Sequence, residues 1–175
     1  LKELGEVVQV SEYKSPVLRF LDMAKAIYVN KTSTSLVLID TYSTNGFYIA
    51  YYSALICQKL KLPYVPILHG GNLPWRLENS KEKCDRFFNN AAFLVAPSGY
   101  MRKKFKQKGY TKIKLIPNQI DLSKFKFKER KSAAPRLLWV RSFASIYNPL
   151  RAIDVINLLT KQYPDARLCM VGPEK

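Results

Sequence analysis

The sequence predicts an α/β protein built on a parallel sheet flanked by helices. Short apolar, β-branched runs alternate with helix-period stretches along the chain, which is the pattern of parallel α/β architecture. A polar, glycine-containing turn, HGGNLP, directly follows one of the strand runs. A second β-α-β unit starts only after a charged stretch without periodicity.

The first strand is expected over residues 36–40, LVLID. A helix over 47–60 follows; it is apolar nearly all round and should be buried between neighbours. YVPIL, residues 64–68, is the next strand, and Pro66 makes it a less regular or an edge element. Residues 93–96 form a third strand. Ser98 is placed to cap the helix after it, with Met101 and Phe105 on one face and Gly109 at its end. Residues 112–116 form a fourth strand.

Residues 121–135 read as a basic linker, so a first domain is expected over 1–132 and a second over 133–175. The second opens with the strand RLLWV, 136–140. Asn148 and Pro149 supply an N-cap and first-turn pair for a helix over 150–162, with Ile153, Ile156 and Leu159 on one stripe. ARLCMV, 166–171, closes the unit before Gly172 and Pro173.

Composition removes several classes. Of the 175 residues 47% are hydrophobic and 24% charged, so a packed core is expected and wholesale disorder is not. Cys57, Cys84 and Cys169 are far apart and read as reduced, buried thiols of a cytosolic protein, not a disulfide frame. One histidine and three scattered cysteines give no zinc-finger spacing. No signal peptide opens the chain, and its longest apolar stretch is broken by Ser53, Gln58 and Lys59. The start at Leu1 instead of methionine leads us to expect a natural N-terminus further upstream.

The net charge of +16 is unevenly placed: between Met101 and Lys131, twelve Lys or Arg face only Asp121 and Glu129. Such a region is either a solvated helix face with a basic linker or a surface for polyanions.

Candidate site residues cluster after the predicted strands, where open α/β sheets bind their ligands. His69 can hydrogen-bond a sugar hydroxyl or a phosphate, and Gly70 and Gly71 let backbone N–H groups approach a ligand; the alternative is a tight turn with a structural histidine. Ser98 is first a helix cap and Asn118 first a turn residue, each with a ligand role as the second reading. Arg141, followed by Ser142, ends a strand as a diphosphate clamp would, or else forms a surface ion pair. There is no Asp-x-Asp pair, Walker loop, G-x-G-x-x-G fingerprint or G-x-S-x-G elbow.

The order HGGNLP, LVAPSGYMRKKFKQKGY, KLIPNQID, PRLLWVRSF, IYNPLRAIDVI and PDARLCMVGP closely resembles glycosyltransferase family 4, the group 1 glycosyltransferases, from about Leu36 onward. The resemblance implies two facing Rossmann-like domains of GT-B type. The acceptor site would lie in the first and a nucleotide-sugar site mostly in the second. It implies transfer of a hexose-type sugar from a nucleotide-diphosphate sugar to a glycan or lipid-linked acceptor. Transfer would proceed with retention and without cofactor or metal, the leaving diphosphate being stabilised by cationic side chains and a helix N-terminus. Carried onto this sequence, His69 is the catalytic candidate. Gly70, Gly71, Asn72, Ser98 and Asn118 are the acceptor-binding candidates, and Arg141 and Ser142 the donor-diphosphate candidates.

Two departures accompany the resemblance. The family's Gly-Arg pair and the Lys five residues beyond it have no direct counterpart. A strict alignment puts Arg141, Ser142 and Tyr147 at those positions, while a one-residue slip keeps Arg141 as the arginine and puts Ile146 at the lysine position. The family's first strand and glycine-rich loop would precede Leu1, and its Glu-x7-Glu motif would follow Lys175. The chain is therefore expected to be a fragment without transferase activity of its own. A cytoplasmic protein, peripheral on the inner face of a membrane through basic region 101–131, fits this reading. The alternative is a non-enzymatic basic module binding nucleic acid, with Tyr100, Phe105, Phe125 or Phe127 as stacking residues.

Overall fold

A computed structural model describes residues 5–129 and 135–173. The chain divides into two compact units, 1–120 and 121–175. The expected domain boundary between 132 and 133, the end of the linker and the basic residues Arg130 and Lys131 lie outside the described residues.

The first unit runs α1 (Pro16–Val29), β1 (Val37–Thr41), α2 (Gly46–Lys59), β2 (Tyr64–Leu68), α3 (Leu73–Asn79), α4 (Lys81–Phe88), β3 (Leu94–Ala96), α5 (Gly99–Gln107) and β4 (Ile113–Leu115). The four strands form one parallel sheet in the order β1-β2-β3-β4, with helices between them, so the fold is Rossmann-like α/β.

That order corrects the edge reading of Pro66, because β2 lies inside the sheet. Val37 and His69 bond on the β1 side, through Pro63 O and from His69 N, whereas Tyr64 O accepts from Ala92 N on the β3 side. Alternation then turns position 66, with no N–H to give, toward β3. The β2–β3 ladder keeps a single registered pair, Ile67 with Val95, against five pairs between β1 and β2. The sheet tolerates this proline by weakening one seam.

The helix expected to be buried all round, α2, is buried only along Phe47, Ala50, Tyr51, Ser53, Ala54 and Cys57, while Tyr48 and Tyr52 stay exposed. Aromatic residues with polar tips can take a wet face without losing their packing role. Helices α1, α3 and α4 go beyond the sequence expectations. Their signals are Ser15 before Pro16, Asn72 before Leu73-Pro74, and Cys84, Phe87 and Phe88 at i, i+3, i+4. Ser98 does cap α5, its Oγ accepting from Met101 N at 3.2 Å, a contribution of about 1 kcal/mol. Gly109 follows α5 at φ +93°, a conformation that favours glycine.

The second unit pairs β5 (Arg136–Val140) and β6 (Arg167–Val171) in parallel around α6 (Pro149–Thr160). Short 3₁₀ turns occupy Leu122–Lys124 and Ser145–Tyr147. Asn148 holds the N-cap position but in the left-handed region (φ 47°), without a side-chain cap bond; asparagine is among the few residues that adopt this readily. Residues along β5 and β6 alternate between half-buried and exposed, because α6 covers one face of the two-stranded sheet. Cys169 falls on the exposed face, which corrects its expected burial.

Burial raises the Cys57 thiol to about 11 and the Cys84 thiol to about 12. A raised thiol pKa lowers the thiolate population, which is the reactive form. At pH 8 a thiol reagent should therefore modify one of the three cysteines rapidly in the folded protein, Cys169, and the other two only on unfolding. Mass spectrometry of the labelled protein checks this.

Candidate functional site

The parallel order brings the segments after β1, β2, β3 and β4 to one edge of the sheet, the carboxyl edge. Asp40 and Tyr42 come from the first, His69, Gly70, Gly71 and Asn72 from the second, Ser98 from the third and Asn118 from the fourth.

His69 continues the ladder, its N–H donating to Thr41 O at 2.9 Å. Its ring stacks on Tyr42, centroids 5.5 Å apart and planes inclined by 23°. Nε2 lies 3.0 Å from Asp40 Oδ1. A carboxylate only accepts, so Nε2 is the donor of this bond, and the tautomer with its proton there has Nδ1 as an acceptor. The histidine side chain is 26% exposed and the aspartate 63%, so the pair opens to solvent. Such an arrangement can hold and orient a hydroxyl at Nδ1. The sequence reading missed Asp40 and Tyr42. Their only signal was a carboxylate and an aromatic at the end of an apolar strand run.

Gly70 and Gly71 differ in what they do. A Cβ on Gly70 would lie 2.5 Å from the backbone N of Ser43 and 3.1 Å from its Oγ, so this glycine allows the segments after β1 and β2 to touch. Around Gly71 nothing lies within 4 Å, and its backbone is open to a ligand. Leu73 N donates to Gly70 O at 2.9 Å, turning the chain into α3, and Asn72 sits at the N-cap without a side-chain cap bond.

Arg76 on α3 completes this arrangement. Its Nε donates to Ser43 O at 2.9 Å, and the guanidinium lies 5.3, 5.1 and 5.4 Å from the rings of Phe47, Tyr48 and Trp75. Ser43 is thus gripped from two sides, by contact with Gly70 and by the Arg76 bond. Ser98 is exposed with its Oγ engaged in capping, and Asn118 is exposed.

In the second unit, Arg141 N donates to Val171 O at 3.0 Å and its guanidinium stacks 4.6 Å from the Tyr147 ring. Tyr147 therefore meets Arg141, while Ile146 is 83% exposed. Ser142 Oγ is buried without a hydrogen-bond partner among the described residues. A Cβ on Gly172 would overlap the Arg141 carbonyl oxygen, so the ends of β5 and β6 meet only because position 172 is glycine. Among the described residues no three His, Cys, Asp or Glu side chains converge to hold a metal ion.

Residues 13–124 match the model of Glycosyltransferase Family 4. The chain belongs to glycosyltransferase family 4. The match takes in every element of the first unit, from α1 to β4, and with it the His69–Asp40 pair. It ends before Arg141 and Ser142. No curated protein matches the chain.

If Gly70 is needed for the grip on Ser43, Gly70→Ala should lower the unfolding midpoint and shift the His69 ring resonances. Gly71→Ala should do neither. Thermal unfolding and NMR of the two variants check the contrast, and equal tolerance of both would remove the steric argument.

Proposed function

We propose that the protein works in transfer of a hexose-type sugar from a nucleotide-diphosphate sugar to a glycan or lipid-linked acceptor, with retention at the anomeric carbon. The observation that carries the reading is the His69–Asp40 pair, set at the carboxyl edge of a family 4 domain and open to solvent. Asp40 fixes the ring and its tautomer, and Nδ1 of His69 orients the incoming hydroxyl. Gly71 and Asn72 offer an unobstructed backbone and an exposed amide beside it. Ser98 and Asn118, on the same edge, bound the acceptor.

On the donor side Arg141 and Ser142 hold the diphosphate. The new bond joins the acceptor oxygen to the anomeric carbon, the carbon–oxygen bond to the diphosphate breaks, and the hydroxyl proton passes to the departing phosphate oxygen. Charge accumulates on that leaving group, where a guanidinium stabilises it most. Support comes from the buried Ser142 Oγ, since buried hydroxyls are otherwise nearly always bonded. Bound donor should stabilise the folded protein by about 2.7 kcal/mol at a hundredfold excess over its Kd. Thermal unfolding with a panel of nucleotide-diphosphate sugars should show protection by at least one donor and its loss in Arg141→Ala. Absence of protection by every donor would overturn the assignment.

Basic region 101–131 fits peripheral attachment to an anionic membrane surface on its cytoplasmic side. Phe125 and Phe127, 66% and 91% exposed, alternate there with Lys124, Lys126 and Lys128, joining apolar insertion to charge attraction. No described helix is long and apolar enough to cross a membrane. Co-sedimentation with phosphatidylglycerol vesicles should be strong in low salt and fall as salt screens the charges. Binding indifferent to salt would count against it.

A further inference from the structure

The first unit carries a groove of about 410 Å³ between α3 and α5. Its α3 wall is Pro74, Trp75 and Glu78; its α5 wall is Tyr100, Lys104 and Gln107, with Lys108 just beyond the helix end. Both helices begin at the carboxyl edge of the sheet, so the two aromatic residues stand at the end of the groove nearest that edge. The polar groups follow along the helices.

Trp75 is 49% and Tyr100 57% exposed, although α5 buries Met101 and Phe105 and α3 buries Leu73 and Leu77. Tyr100, Lys104, Gln107 and Lys108 recur at helical spacing on a stripe separate from the packing face. Lys108 is paired with Glu78 across the groove at 3.0 Å. Lys104 has no carboxylate within ion-pair distance among the described residues, and its Nζ lies 5.9 Å from the Tyr100 ring centroid. Apolar platforms at one end, with an amide, a carboxylate and an unpaired ammonium at the other, match a sugar. The C–H face of a pyranose stacks on an aromatic ring while its hydroxyls take the hydrogen bonds. The unpaired ammonium adds a preference for negative charge.

We infer that the groove between α3 and α5 binds an acidic saccharide, with pyranose rings on Trp75 and Tyr100 and a carboxylate or phosphate substituent at Lys104. This rests on the proposed transfer reaction, of which it would be the acceptor side. By helical spacing Lys106 of α5 lies off this stripe, whereas Lys103, three residues after Tyr100 and four before Gln107, borders it.

The test follows the Trp75 indole N–H resonance, one of two tryptophan signals and assigned by its loss in Trp75→Phe. Tetragalacturonate serves as the acidic probe and maltotetraose as the neutral one. A saturable shift of the Trp75 signal, with the acidic probe bound at least about tenfold more tightly, is the expected result. Trp75→Ala and Tyr100→Ala, followed by calorimetry, should each weaken binding by about tenfold. Lys104→Gln should abolish the preference for acid and leave the neutral probe unaffected. All three positions are exposed, and unchanged far-ultraviolet circular dichroism confirms folding.

No saturable shift with either probe, or equal affinity for both, overturns the proposal. So does a Trp75 response confined to phosphatidylglycerol vesicles, which would make the groove a lipid contact. Donor protection without saccharide binding removes the groove alone. Saccharide binding without donor protection leaves a saccharide site and removes the transfer reading.

Discussion

Phe87 packs against Phe47, Tyr51, Tyr64 and Phe88 at ring separations between 4.6 and 6.5 Å, and Phe88 passes the contact on to Phe105 and Tyr110. Helices α2, α4 and α5 and strand β2 thereby share one apolar volume. Each such pair adds about 0.5–1.5 kcal/mol to what burial alone contributes. Tyr64 and Tyr110 bring hydroxyls into this volume without leaving them unpaired. Tyr64 donates to Phe87 O at 2.6 Å and accepts from Gln58 at 2.8 Å, and Tyr110 donates to Asp85 at 2.7 Å. Asp85 in turn pairs with Lys81, and its carboxyl is held below the ordinary aspartate range by Lys81 first and Tyr110 second.

This aromatic packing keeps the helices seated against the sheet and so determines where the strand ends come together. Parallel strands deliver all their following segments to the same edge, but an edge is not yet a site. What assembles the candidate site is the close approach of the segments after β1 and β2. Gly70 permits contact with Ser43, Arg76 Nε bonds the Ser43 carbonyl, and Nε2 of His69 pairs with Asp40. Arg76 reaches Ser43 because three aromatic rings, one of them Phe47 in the core, frame its guanidinium. The core and the candidate site are therefore linked through that single side chain.

The second unit solves the same problem with less material. Its strand ends meet because Gly172 has no side chain to oppose the Arg141 carbonyl, and the Arg141 guanidinium is oriented by Tyr147.

The sequence by itself determined the α/β class, the six strands within a residue or so at each end and the Ser98 cap, and it offered the HGGN segment as a candidate site. These are local properties: a run of β-branched residues, a cap and a glycine pair act over a few positions and are legible without knowing what packs on them. Pro66 inside the sheet, Cys169 on an open face and the half-exposed α2 were not legible, because strand order and the covering of a face depend on residues distant in the chain. The pairing of His69 with Asp40, 29 residues away, was hidden for the same reason. Only the tertiary structure decided that Gly70 is a contact residue and Gly71 an open one. Two adjacent glycines are identical in sequence terms, and they differ only in whether Ser43 lies against them.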